Sequence, residues 1–198
     1  MKVLPILLLL AGQFWETKAP ADWSEAELNQ LLTDSPWAQM MPAPGPGGDA
    51  PPVQVMVATA APIEKAQAEW DRRFTKKKPA PGPNLMKEEY LTWLEDNRAT
   101  QIVLAIATPN KNNAFGDDRE MRSMQDESVM IVGRKKYKIT GYFPPAPGDP
   151  YLRLAFPREV RATDKKVTFD LYVPGVAIPY RSAEFSVKDM MLDGKLEM

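Results

Sequence analysis

The chain has 198 residues, of which 44% are hydrophobic, and its 25 basic and 26 acidic residues leave a formal net charge of −1 at pH 7. This length fits one domain with appendages, and the balanced charge argues against a dedicated nucleic-acid-binding protein. Because the chain contains no histidine and no cysteine, imidazole catalysis, cysteine nucleophiles, disulfides and zinc–thiolate sites are excluded.

The N-terminus has the pattern of a secretory signal. Lys2 precedes a short apolar run, residues 3–11, which is too short to span a bilayer as a helix. Ala19-Pro20-Ala21 has the A-x-A form, so we predict a signal peptide over residues 1–21, with cleavage nearer Gly12 as the alternative. A buried strand or an uncleaved anchor also remains open. We expect export to the periplasm or the medium and no stable membrane span after signal removal, because cysteine-free exported proteins are typical of bacterial envelopes.

Residues 22–41 are predicted to contain a short capped helix. Ser24 and Glu27 have the spacing of a capping box, and Leu28, Leu31 and Leu32 continue one apolar face. We expect the helix to pack on a larger body, with docking on a partner as the alternative. Residues 42–52 hold five prolines and three glycines, which predicts a linker.

The remaining residues, 53–198, are predicted to form one α+β domain. Helices are expected near 62–75 and 85–96, between the first two strands. Later segments alternate apolar and polar residues and are separated by proline, glycine and aspartate, which favours an antiparallel β-sandwich, Ig-like in general architecture, of about seven strands. The candidate strands are 53–58, 102–107, 129–132, 136–142, 151–156, 167–173 and 183–187. An Asp-Gly pair at 193–194 predicts a final hairpin.

The acidic clusters of the sequence give little support to metal binding or to carboxylate catalysis. Asp117, Asp118 and Glu120 follow Asn110 and Asn112, and together they supply the oxygen ligands that calcium prefers. The spacing does not match an EF-hand loop, and the composition is that of an ordinary turn. Adjacent carboxylate pairs elsewhere are interpreted as solvated faces, because a glycosidase needs two carboxyl groups that converge across a cleft. We expect no metal and no cofactor.

The densest basic stretch is residues 133–138. In a strand, Arg134, Lys136 and Lys138 share one face, and Tyr137 lies on the other. Such a face could bind phosphates or anionic lipid, but lysines also protect exposed sheet edges against pairing. We favour the edge interpretation.

A proline-rich corner is the best candidate for a partner-binding surface. Aromatic residues flank four prolines between residues 142 and 151, and residues 179–181 form a second corner of similar composition. Aromatic and arginine side chains supply much of the energy of interfaces, and prolines limit the ordering cost of a loop. The alternative is a structural corner with its rings turned inward. The candidate contact residues are Tyr142, Phe143, Tyr151, Tyr180 and Arg181.

Several short motifs lie along the chain after the predicted signal. They are Trp23-Ser24, Leu31-Leu32, Asp34-Ser35-Pro36-Trp37, Phe143-Pro144-Pro145, Asp149-Pro150-Tyr151-Leu152, Phe156-Pro157-Arg158 and Pro179-Tyr180-Arg181. With these motifs the chain resembles uncharacterised exported proteins of acidobacteria-type soil bacteria. The resemblance covers most of the chain after the signal; it implies export and assigns no activity and no site residue.

The sequence therefore predicts an exported, non-enzymatic envelope protein whose β-sandwich binds an unknown envelope protein or polymer, or has a structural role. Two alternatives stay open. One is a carboxylate-dependent hydrolase that acts on envelope or extracellular polymers, and it needs a pocket with convergent acids. The other is a saccharide-binding sandwich, which needs an exposed aromatic platform.

Overall fold

The computed structural model describes residues 13–45, 50–74, 85–108 and 113–198. The apolar run at 3–11, the centre of the predicted linker and the asparagines at 110 and 112 lie outside the described residues.

Five α-helices and three short 3-10 turns are present among the described residues. Two of the helices lie between the strands Val53–Val57 and Gln101–Ala107, where helices were predicted, and a further ten-residue helix follows Asp117. The α-helices are α1 (Phe14–Thr17), α2 (Glu25–Thr33), α3 (Ala61–Phe74), α4 (Leu85–Asn97) and α5 (Asp118–Glu127).

The strands form two large antiparallel sheets and one small hairpin. The five-stranded sheet has the order β1-β2-β3-β7-β6, and the four-stranded sheet has the order β5-β4-β8-β9. The strands are β1 (Ala38–Met41), β2 (Val53–Val57), β3 (Gln101–Ala107), β4 (Val129–Val132), β5 (Lys135–Lys138), β6 (Gly141–Phe143), β7 (Tyr151–Pro157), β8 (Lys166–Tyr172), β9 (Tyr180–Ser186), β10 (Met191–Leu192) and β11 (Lys195–Leu196).

The five-stranded sheet is the central layer of the fold. One of its faces meets the four-stranded sheet, where the rings of Phe156 and Phe169 lie 5.3 Å apart. The other face is covered by α2, α3 and α4; for example, the Gln67 amide of α3 contacts the sulfur of Met56. Because both faces are covered, β3 and β7 are buried along almost their whole length, and their buried residues are apolar except for Arg153 of β7.

The predicted α+β class with antiparallel sheets is confirmed. Two sheets face each other as in the general Ig-like architecture, but the helices add a third layer. The two large sheets contain nine strands rather than seven, because the short strand β1 was not predicted and because residues 136–142 do not form one strand. The chain crosses between the sheets at Thr140, whose N–H donates to the carbonyl of Ala155.

Residues 42–52 do not separate two structural units. Met41 of β1 pairs with Val53 of β2, so the proline- and glycine-rich stretch connects neighbouring strands of one sheet. The capped helix belongs to the same body, since α2 packs against α3 and β1 and buries Leu28 and Leu31. The alternative that this helix docks only on a partner is therefore wrong.

Two local predictions from turn and cap chemistry are confirmed. Ser24 accepts the N–H of Glu27 at 3.2 Å, and the Glu27 carboxylate accepts the N–H of Ser24 at 2.8 Å, which completes the capping box. Asp193 and Gly194 take φ values of 50° and 76° in the loop of the β10–β11 hairpin, and this left-handed pair is the conformation that Asp-Gly favours.

Candidate functional site

The structure buries part of the predicted aromatic corner. Tyr142 and Tyr180 are 36% and 54% exposed, but Phe143 is 8% and Arg181 is 3% exposed, and Tyr151 is half-buried. Phe143 and Arg181 are therefore not available to a partner, which corrects their assignment as contact residues.

The two exposed tyrosines also lie far apart in the topology. Tyr142 belongs to β6, at one edge of the five-stranded sheet. Tyr180 opens β9, an edge of the other sheet, and β9 lies against β1 at the opposite edge of the five-stranded sheet. The two corners that the sequence analysis placed together thus do not form one surface.

The corner at residues 142–151 packs around an ion pair between Asp149 and Arg153, and aromatic rings surround this pair. Arg153 donates to both carboxylate oxygens of Asp149, at 2.8 and 3.1 Å, and its guanidinium lies 4.5 Å from the ring centre of Tyr90. The ring of Phe143 lies 5.2 Å from that of Tyr90 and 5.2 Å from that of Trp93. Burial raises the pKa of Tyr90 and also that of Tyr151. The corner is part of the core between α4 and the sheet.

Arg181 lies between the two sheets. It pairs with Leu171 on the inward face of β9, and its Nη2 makes a long contact of 3.4 Å to the carbonyl of Pro51. Among the described residues, its Nε and Nη1 have no hydrogen-bond partner, and burial lowers its pKa. It is a core arginine rather than a surface contact.

A concave site lies instead at one end of the sandwich, and we name it the basic cleft. Its volume is about 320 Å³, and it is formed by the β4–β5 hairpin and by the loop between β7 and β8. The residues that line it are Val132, Arg134, Lys135, Tyr137, Glu159, Arg161 and Asp164.

The hairpin that forms one wall has a tight two-residue loop. Val132 pairs with Lys135, which leaves Gly133 and Arg134 as the loop, and Gly133 adopts a φ of 59° that glycine takes without steric cost. Tyr137 pairs with Met130 and turns toward the sandwich interior, so the pairing register of β5 and the hairpin loop direct Arg134, Lys135 and Tyr137 to the cleft.

The opposite wall is held by Arg158. Its guanidinium donates to the carbonyls of Met198, Gln101 and Arg98, at 2.6, 2.9 and 3.1 Å. This anchor fixes the start of the β7–β8 loop. Further along, Asp164 accepts the backbone N–H of Arg161 at 2.7 Å and closes the loop. The loop therefore presents Arg161 from a defined backbone.

The charges of the basic cleft favour an anionic ligand. Within the part of the chain that the structure describes, no carboxylate lies within ion-pair distance of Arg134, Lys135 or Arg161. Guanidinium groups bind carboxylates and phosphates through paired hydrogen bonds. The two acids of the cleft do not converge as buried groups, since Glu159 is exposed and Asp164 is engaged by the loop backbone.

The side chains of the basic stretch, residues 133–138, lie in two different parts of the structure. Lys136 and Lys138 pair with Ile131 and Val129 on the outward face, and β5 is an edge strand, so the edge interpretation is confirmed for these two lysines. Sequence analysis did not find the cleft, because its second wall comes from residues 159–164, which carried no recognised motif. The only signal was the basic, aromatic hairpin itself.

The described ranges contain neither a metal-binding cluster nor a membrane-spanning helix. No cluster of three acidic side chains there could hold a metal ion. No helix in those same ranges is both long and apolar enough to cross a bilayer.

Comparisons with known proteins give no family assignment. No protein-family model matches the chain, and no curated protein matches it. The chain is similar in structure to a protein of unknown function from Burkholderia pseudomallei K96243, with a TM-score of 0.42 and 9% sequence identity over 81% of this chain and 82% of that one.

Proposed function

We propose that this protein is an exported, non-enzymatic binding module of the bacterial envelope, and that its basic cleft binds anionic groups of an envelope polymer. Lys2 and the apolar run after it support the export signal. The observation that carries the proposed binding is that three cations, Arg134, Lys135 and Arg161, line one concave site, and that the described residues supply no ion-pair partner for them.

The size and lining of the cleft support a small anionic group as the bound part of the ligand. About 320 Å³ lies at the lower end of the roughly 300–1,000 Å³ typical of small-molecule sites, and it suits one charged residue of a polymer. Arg134 and Arg161 can each donate two hydrogen bonds to a carboxylate or phosphate. The half-buried ring of Tyr137 offers an apolar surface beside them.

The two alternatives find less support. A hydrolase needs two convergent carboxyl groups, one of them protonated, whereas Glu159 is exposed and Asp164 accepts a backbone N–H. A saccharide platform needs adjacent exposed rings, and the two exposed tyrosines of the predicted contact set, Tyr142 and Tyr180, lie at different sheet edges. A saccharide that carries acidic groups would use the cleft.

The test is a binding titration of the purified protein with three defined polymers: polygalacturonate, inorganic polyphosphate and neutral dextran. We expect one of the anionic polymers to bind and dextran not to bind. The Arg134→Gln/Arg161→Gln variant should weaken that binding by about 100-fold or more, because each of the two lost charged hydrogen bonds contributes about 1.5–3 kcal/mol and about 1.4 kcal/mol corresponds to a tenfold change.

The matched control is Lys136→Gln/Lys138→Gln, which removes the same charge from the outward face of β5. This control should bind nearly as the wild type does. Equal losses in both variants would indicate unspecific attraction, and a lack of binding to both anionic polymers would overturn the assignment of the cleft.

A further inference from the structure

An aromatic chain joins the end of the predicted signal region to the core. The ring of Phe14 lies 4.8 Å from that of Trp15 and 5.9 Å from that of Trp23, and the ring of Trp15 lies 5.7 Å from that of Trp37. Trp23 and Trp37 are both buried. Phe14 and Trp15 therefore cover two core tryptophans.

An arginine of α3, Arg73, holds the backbone of residues 20–23. Arg73 of α3 donates to the carbonyls of Trp23 and Ala21, at 2.6 and 3.0 Å, with a longer contact of 3.4 Å to that of Pro20. Glu69, one turn earlier, accepts a hydrogen bond from the Nε of Arg73 and orients it. Three carbonyl contacts within four residues, all to one guanidinium, fix the path of this segment on α3.

Lys18 adds a third attachment through the helix cap. Its ammonium forms an ion pair with Glu27, the same side chain that completes the capping box of Ser24. This contact, with the cap hydrogen bonds, lowers the pKa of Glu27 to about 2. The residues from Phe14 to Asp22 thus connect to α2, to α3 and to Trp37 just before β1.

Cleavage after Ala21 would remove most of these contacts. It would take away Phe14 and Trp15, which would leave Trp37 and Trp23 without the rings that cover them. It would also remove Lys18 and the carbonyls of Pro20 and Ala21 that Arg73 binds. Exposure of large aromatic surface is unfavourable.

We propose that the exported protein is cleaved between Ala11 and Phe14, so that the segment Phe14–Asp22 remains in the mature protein and is part of its folded structure. Ala11 ends the apolar run and Gly12 follows it, and both are small residues of the kind found at the end of a signal's hydrophobic region. The reaction is peptide-bond hydrolysis: one water is added, the released peptide gains a carboxylate and the mature chain gains a free α-amine. This inference rests on the export that is part of the proposed function.

The test is to express the full chain with its own N-terminus in a bacterium with two membranes, and to measure the intact mass and N-terminal sequence in each cell fraction. A mature chain in the envelope that begins between Gly12 and Phe14 supports the inference. A chain that begins at Asp22 overturns it and leaves export standing. An intact chain in the envelope overturns cleavage, and an intact chain confined to the cytosol overturns export as well.

A second measurement tests the structural role of the segment. Trp15→Ala in the full chain should shift the denaturation midpoint to lower denaturant and shift tryptophan emission to longer wavelength, because Trp37 loses its cover. Glu16→Ala, at the exposed neighbouring residue, should change neither. An unchanged midpoint and emission in Trp15→Ala would contradict the role of the segment.

Discussion

Arg153 and Asp149 form a buried bidentate ion pair, with both side chains largely removed from water and N–O distances of 2.8 and 3.1 Å. The pair joins the start of β7 to the preceding proline turn, and the ring of Tyr90 covers the guanidinium. A buried pair of this kind is costly to break, since the remaining charge loses its counter-charge in a place that water does not reach.

We expect Asp149→Asn to lower the free energy of unfolding by about 3–5 kcal/mol, because Arg153 would remain charged and unpaired in the core. Chemical denaturation measures this loss. The control is Lys166→Gln, which breaks an exposed ion pair with Glu184 and should cost at most about 1 kcal/mol. Similar losses in the two variants would contradict the burial of the Asp149–Arg153 pair.

Phe169→Ala should destabilise the protein by about 3–5 kcal/mol. Its side chain is fully buried, with Phe156 on the facing sheet and Phe185 on the neighbouring strand at 5.3 and 6.0 Å. Thr168→Ala, on the outward face of β8, should cost much less. Denaturation curves that show comparable losses would mean that the register of this strand is wrong.

Acidification should lower the free energy of unfolding, because the carboxyl group of Glu69 has a lowered pKa in the folded protein. Hydrogen bonds from Arg72, and then from Arg73, hold its pKa at about 2, against an ordinary value of 4.5. Below pH 4.5 the unfolded chain binds a proton that the folded chain does not, so this stabilisation is complete above pH 4.5 and is lost as the pH falls toward 2.

Unfolding midpoints measured across this pH range for the wild type and Glu69→Gln give the test. We expect the variant to be less stable at neutral pH and to lose less stability on acidification. Parallel curves for the two proteins would contradict the lowered pKa of Glu69.

Ser24→Ala should cost about 1 kcal/mol, because its hydroxyl caps the first turn of α2. A matched control exists in Ser186, which also precedes a helical turn but makes no side-chain cap hydrogen bond. Ser186→Ala should be nearly neutral in thermal or chemical denaturation. A loss at Ser186 equal to that at Ser24 would show that the cap is not the cause.

The features that could be predicted from the sequence depend on contacts between near neighbours in the chain. The capping box of Ser24 and Glu27, the Asp193-Gly194 hairpin loop and the alternation of Val167, Phe169 and Leu171 all follow from residue types at short spacing. The α+β class followed from the sum of such patterns. Such local features can be predicted without knowing which distant segments of the chain come into contact.

The location of the candidate site required the tertiary structure. Whether Phe143 and Arg181 face a partner or the core depends on which helix and which sheet cover them, and their residue types are the same in both cases. The basic cleft joins Arg134 of one hairpin to Arg161 of a loop 27 residues later, and the pairing of β4 with β8 brings them together. Strand order and register decide such contacts, because the energy of pairing and burial is shared among many residues far apart in the chain.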